Sequence, residues 1–130
     1  MKHIWSSDYL SREYGARGAA IWASEKKKEL AEFWGVSCDY YHAHGNIVFL
    51  PYLDWRNTQV INDPELARKI WECLPSENSL DMVSILDLSE KADIGLPVLC
   101  GILKGLDGSI KYKVARNGRI CFVARKGALQ

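Results

Sequence analysis

Residues 88–124 combine a helical apolar stripe with an alternating β pattern, and that order leaves few folds open. Leu88 to Ala92 reads as a short helical segment, with Asp87 as N-cap and Glu90 as the carboxylate of a capping box. Asp93-Ile94-Gly95 is the break. Leu96 to Leu106 then places Leu99, Ile102, Leu103 and Leu106 at i, i+3, i+4 and i+7, the stripe of a helix lying on a core. Ile110 to Val114 and Ile120 to Ala124 flank Asn117-Gly118, a strong two-residue hairpin signal.

This helix, turn, helix and basic hairpin resembles the winged helix-turn-helix DNA-binding superfamily over about the last third of the chain. The resemblance implies an α+β, mainly helical fold with a C-terminal β-hairpin, and double-stranded DNA as partner. In that family the second helix of the pair enters the major groove and its outer side chains read base edges. Here the outward positions are Pro97, Val98, Gly101, Lys104 and Gly105, which offer one donor side chain. The helix-turn-helix shape is expected; base reading by this helix is not.

Charge supports a phosphate-facing hairpin. The chain carries a net charge of +1, but unevenly. Residues 62–103 hold three basic and eight acidic groups, and residues 104–130 hold seven basic and one acidic. A two-residue loop pairs Arg116 with Arg119, Val114 with Cys121 and Tyr112 with Val123 on one face. Lys113 with Phe122 and Lys111 with Ala124 take the other. Two arginines facing each other at a hairpin tip repel unless an anion lies between them. Lys104, Lys111, Lys113, Arg116, Arg119, Arg125 and Lys126 are therefore the DNA-contact candidates, supplying affinity through the backbone without sequence choice. A hairpin whose charges only protect its edges from aggregation remains the alternative.

The N-terminal half is expected to be a helical lobe with one or two short strands. Ser7 to Ser24 permits a helix weakened at Gly15 and Gly18, and Ser24 to Trp34 is amphipathic, with Leu30, Phe33 and Trp34 inward. Residues 29–37 are similar to the first helix and turn of an excisionase-type helix-turn-helix, whose next helix would be Cys38 to His44. Asn46 to Pro51 reads as a strand. The polar stretch 56–63 marks a boundary, giving lobes 1–61 and 62–130, and Asp63-Pro64 caps a helix running to Cys73 or Leu74. Helices followed by a strand occur twice, which allows two winged-helix-like lobes in tandem.

Other chemistry is sparse. Cys38, Asp39, His42 and His44 fall within seven residues, a possible zinc set if the chain brings them together. No Ser-His-Asp pattern, phosphate-binding glycine loop or HExxH is present, and no CxxC. The cysteines at 38, 73, 100 and 121 read as reduced thiols of a cytoplasmic protein. Lys26-Lys27-Lys28 reads as a solvated helix face. No apolar run approaches the ~18–20 residues of a membrane span, and Met1 to Trp5 leads into polar residues rather than a signal-peptide core. The expectation is a small DNA-binding protein, a transcriptional regulator or mobile-element accessory factor. Its alternatives are a protein-binding module or inhibitor reusing the same shape, with a protein partner or homodimer, and a small metal-dependent enzyme.

Overall fold

The computed structural model describes residues 2–53, 57–76, 81–115 and 120–127, and divides the chain into two units, Met1–Tyr52 and Leu53–Gln130. Among the described residues there are four helices and two antiparallel three-stranded sheets, an α+β architecture. Residues 57–61, expected in the first lobe, belong to the second unit.

In the first unit, β1 (Ile4–Ser6) leads directly into α1 (Ser7–Trp34). Ser6 caps the helix, its Oγ accepting from the Tyr9 N–H at 3.3 Å. Gly15 adopts φ +73° and ψ 170° and interrupts the helix, which resumes and ends at Gly35 in the left-handed region. β2 (Cys38–Ala43) and β3 (Asn46–Pro51) form a hairpin, and the sheet order is β1-β3-β2. Its loop, His44-Gly45, has positive φ at both residues, +50° and +75°, the two-residue turn that matches strand twist. One sheet face packs on α1. Trp22 meets Trp5 and Phe49 edge-on at 5.0 and 6.1 Å between centroids, and Leu10, Ala23, Leu30 and Trp34 close the core.

Residues 38–43 are thus a strand, not the second helix of an excisionase-type pair. The first unit holds one broken helix on a sheet, so the tandem winged-helix expectation does not hold for it. The lysine run also departs from expectation. Lys26 pairs with Glu29 at 3.0 Å and lies over the Trp5 and Trp22 rings, while Lys28 is exposed.

The second unit runs α2 (Pro64–Cys73), β4 (Val83–Ser84), α3 (Ile85–Ala92), α4 (Leu96–Gly105), β5 (Ile110–Ala115) and β6 (Ile120–Arg125), with sheet order β4-β6-β5. Asp63 Oδ1 accepts from the Glu65 and Leu66 N–H groups, both at 3.2 Å, and Pro64 occupies the first turn, as the sequence predicts. α3 starts three residues before the expected helix. Its cap is Ser84, whose Oγ accepts from the Asp87 N–H at 3.2 Å, and Asp87 is a first-turn carboxylate instead. Asp93, at φ +54°, ends α3, and the Ser89 hydroxyl donates to the Ile94 carbonyl to fix the turn. Leu86, Leu88, Leu96, Leu99, Ile102, Leu103 and Val123 are buried at the centre of this unit.

Candidate nucleic-acid interface

The face of α4 opposite Leu99 and Leu103 is centred on Gly101, at the helical period of 100° per residue. Chain covers it. Residues 57–62 run along this face as a strap: the Ile61 N–H donates to the Gly101 carbonyl at 3.0 Å, and Lys104 Nζ donates to the Thr58 carbonyl at 2.8 Å. A Cβ at position 101 would lie 2.6 Å from the Gln59 carbonyl oxygen and 2.8 Å from Ile61 Cγ1 and Cδ1. Only glycine admits the strap at this distance. One turn on, a Cβ at position 105 would lie 3.3 Å from the Ile61 carbonyl oxygen. Beyond Ile61 the strap borders an open pocket of about 270 Å³, with Asn62 on its wall and Ile102 and Leu106 behind.

Two of the residues expected to contact DNA are engaged within the fold. Lys104 is half-buried and holds the strap. Arg125 donates from Nε and Nη2 to the Trp71 carbonyl at 3.1 and 2.9 Å, and its guanidinium lies 5.3 Å from the Trp71 ring centre. It adds to the C-terminal end of α2, where the Trp71 carbonyl already accepts from the Leu74 N–H at 3.1 Å.

The hairpin has the register read from the sequence: Lys111 opposite Ala124, Tyr112 opposite Val123, Lys113 opposite Phe122 and Val114 opposite Cys121. Cys121 and Val123 face the helices and are buried, and Lys113 is exposed on the opposite face beside half-buried Lys111 and Phe122. Tyr112 shares the apolar face yet is 48% exposed, because it stands on the outer strand of the sheet. Lys126 is exposed just after β6. Arg116, Arg119 and the Asn117-Gly118 turn lie outside the described residues.

Beneath the hairpin sit two neutral thiols. Burial, with the neighbouring Cys121 adding and Lys104 opposing, pushes the Cys100 thiol up to about 12. Burial does the same to Cys121, also about 12. Both serve as small core hydrophobes, and the four cysteines are free thiols.

The zinc set does not come together. Cys38 is buried and donates from Sγ to the Lys27 carbonyl at 3.3 Å. His42 lies four strand residues away, roughly 13 Å along the chain, beside Tyr40 and the alanines of α1. His44 is in the turn, and Asp39 accepts from the Tyr40 N–H and the Tyr52 hydroxyl. Among the described residues no group of three His, Cys, Asp or Glu side chains is placed to hold a metal ion. No helix there is long and apolar enough to cross a membrane.

The strap is the part of this surface that residue patterns missed. Its signal was the Gly101-x-x-x-Gly105 spacing, which puts two bare backbone positions on one side of a helix. No family model, curated protein or solved structure matches the chain.

Proposed function

We propose that the second unit is a winged helix that binds duplex DNA through its β5–β6 hairpin, with α4 as scaffold rather than reader. The order helix, strand, helix, helix, strand, strand with β4-β6-β5 pairing supports the winged-helix reading. The observation that carries DNA binding is the placement of Lys111 and Lys113 on the face of β5 turned away from Cys121 and Val123. Arg116 and Arg119 follow in the chain within six residues of Lys113. Such a strip suits the phosphate backbone, giving affinity that falls steeply with salt. The protein-module alternative draws on the apolar second helix and on the aromatic N-terminal half, and the strap covers the outer face of that helix only.

Titration of a random-sequence duplex at several salt concentrations tests this. Wild type is expected to bind with a log–log salt slope, and Lys111→Ala with Lys113→Ala to flatten it by about 0.9 per lost phosphate contact. Unchanged affinity in the folded double variant would exclude the hairpin.

A further inference from the structure

We infer that the strap replaces α4 as the base-reading element, and that Gln59 and Asn62 are its specificity-determining side chains. This rests on the winged-helix reading above. In that arrangement the outer face of the second helix of the pair is the surface turned to the major groove. Here, among the described residues, 58–62 lie over Gly101, Lys104 and Gly105 on that face. Gln59, Asn62 and Val60, the last at 55%, are exposed on the strap. Asn62 Oδ1 and Val60 Cγ1 also lie 3.5 Å from where a Cβ on Gly105 would stand, so these two side chains rest beside α4, and the Gln59 side chain is not among the nearest to that glycine. Primary amides are the side chains that bond adenine through both N6 and N7, and an apolar group suits the thymine methyl. α4 itself offers nothing comparable. Its outward positions are Pro97, Val98, two glycines, and Lys104, whose ammonium is engaged by the Thr58 carbonyl.

The strap is also held firmly enough to present a pattern. Its backbone is pinned at Ile61 by the Gly101 carbonyl and at Thr58 by Lys104, on either side of Gln59. Asn62 immediately precedes the Asp63 cap of α2, so its backbone is anchored to a helix start. The expected target is thus an A·T-containing site read in the major groove, with the hairpin on the flanking phosphates.

Binding selection on randomised duplexes, followed by titration of the enriched site and of random duplex, tests the inference. Wild type is expected to enrich a short A·T-containing motif. In Gln59→Ala with Asn62→Ala, affinity for the enriched site should fall about tenfold or more towards that for random duplex. Gln59→Glu should move the preferred base at one position from adenine towards cytosine, since a carboxylate accepts from cytosine N4. Loss of folding alone cannot produce that switch. Lys111→Ala with Lys113→Ala should weaken both duplexes together. An unaltered motif in the strap variants, or duplex binding by wild type with no motif, overturns the inference and leaves the hairpin reading standing. Tighter binding in the strap variants overturns it too, because the strap would then be a cover. No duplex binding by wild type overturns both readings.

Discussion

Replacing Gly101 by alanine sets two effects of similar size against each other, and the geometry decides between them. In an ordinary helix interior the change stabilises by about 1 kcal/mol, because alanine loses less backbone freedom. At position 101 the new methyl would sit 2.6 Å from the Gln59 carbonyl oxygen and 2.8 Å from Ile61, so the strap must move. If it lifts, the Ile61 N–H bond to Gly101 and the Lys104 bond to Thr58 are lost. A neutral bond contributes about 1 kcal/mol and a charge-assisted one about 1.5. The net result is a destabilisation of about 1–2 kcal/mol. Shifting without lifting strains the packing by about 1–3 kcal/mol and leads to the same sign. Gly105→Ala is the internal control. There the nearest atom lies 3.3 Å away and a few tenths of an ångström of relaxation suffices, so stability should stay within about half a kcal/mol of wild type. Urea denaturation gives the two free energies, and hydrogen exchange at the Ile61 amide reports the strap directly. Gly101→Ala should raise that exchange rate and Gly105→Ala should not. A Gly101→Ala protein as stable as wild type, with Ile61 equally protected, would refute the strap's seat on α4.

Three further outcomes follow from contacts already described. Arg125→Ala should destabilise the second unit by about 1–3 kcal/mol, through two lost donors to the Trp71 carbonyl and the stacked ring, while leaving the salt slope of duplex binding as in wild type; a reduced slope would return Arg125 to the phosphate contacts. The raised thiols make stability fall at alkaline pH: Cys100 and Cys121 release their protons at the ordinary value of 9.0 when unfolded but near 12 when folded, so stability is full below about pH 9 and declines above it. A denaturation midpoint that stays flat from about pH 8 to 10.5 would count against their burial. His44→Asn should hold or slightly raise the stability of the first unit and His44→Val lower it, because φ +50° suits asparagine and strains a β-branched residue; equal melting of the two variants would contradict the turn geometry.

The elements legible in the sequence were those whose signals are local. The register expected from pairing about Asn117-Gly118 is the one β5 and β6 show, Asp63-Pro64 placed the start of α2, and the leucine spacing placed α4. Others depend on partners distant in the chain. Val83-Ser84 is a two-residue strand that exists because β6 pairs with it, and its Ser84 then caps α3 in place of Asp87. Cys38 to Ala43 lacks clean alternation because both its faces are partly covered, and it is a strand through pairing with β3. His44-Gly45 is a weaker turn signal than Asn-Gly, though histidine is among the residues enriched at positive φ. Among the site residues, charge and an outward helix position singled out Lys104, and charge alone Arg125. Their carbonyl partners at Thr58 and Trp71 lie 46 and 54 positions away and left no trace near either residue.

The strap also bears on which surface a duplex would meet. Its two anchoring bonds, with half-buried Ile61 against Gly101, hold it by about 2–3 kcal/mol. A ligand requiring the bare helix must first break those contacts, and it binds more weakly than its own contacts allow by the free energy of lifting the strap. What it would gain is small. Uncovering α4 exposes two glycines and frees one lysine, and a single ammonium cannot distinguish the base pairs as a bidentate amide or guanidinium does. Leaving the strap in place avoids that cost and presents Gln59 and Asn62 from a fixed backbone. The same two glycines that leave α4 without reaching side chains are what let the strap lie across it.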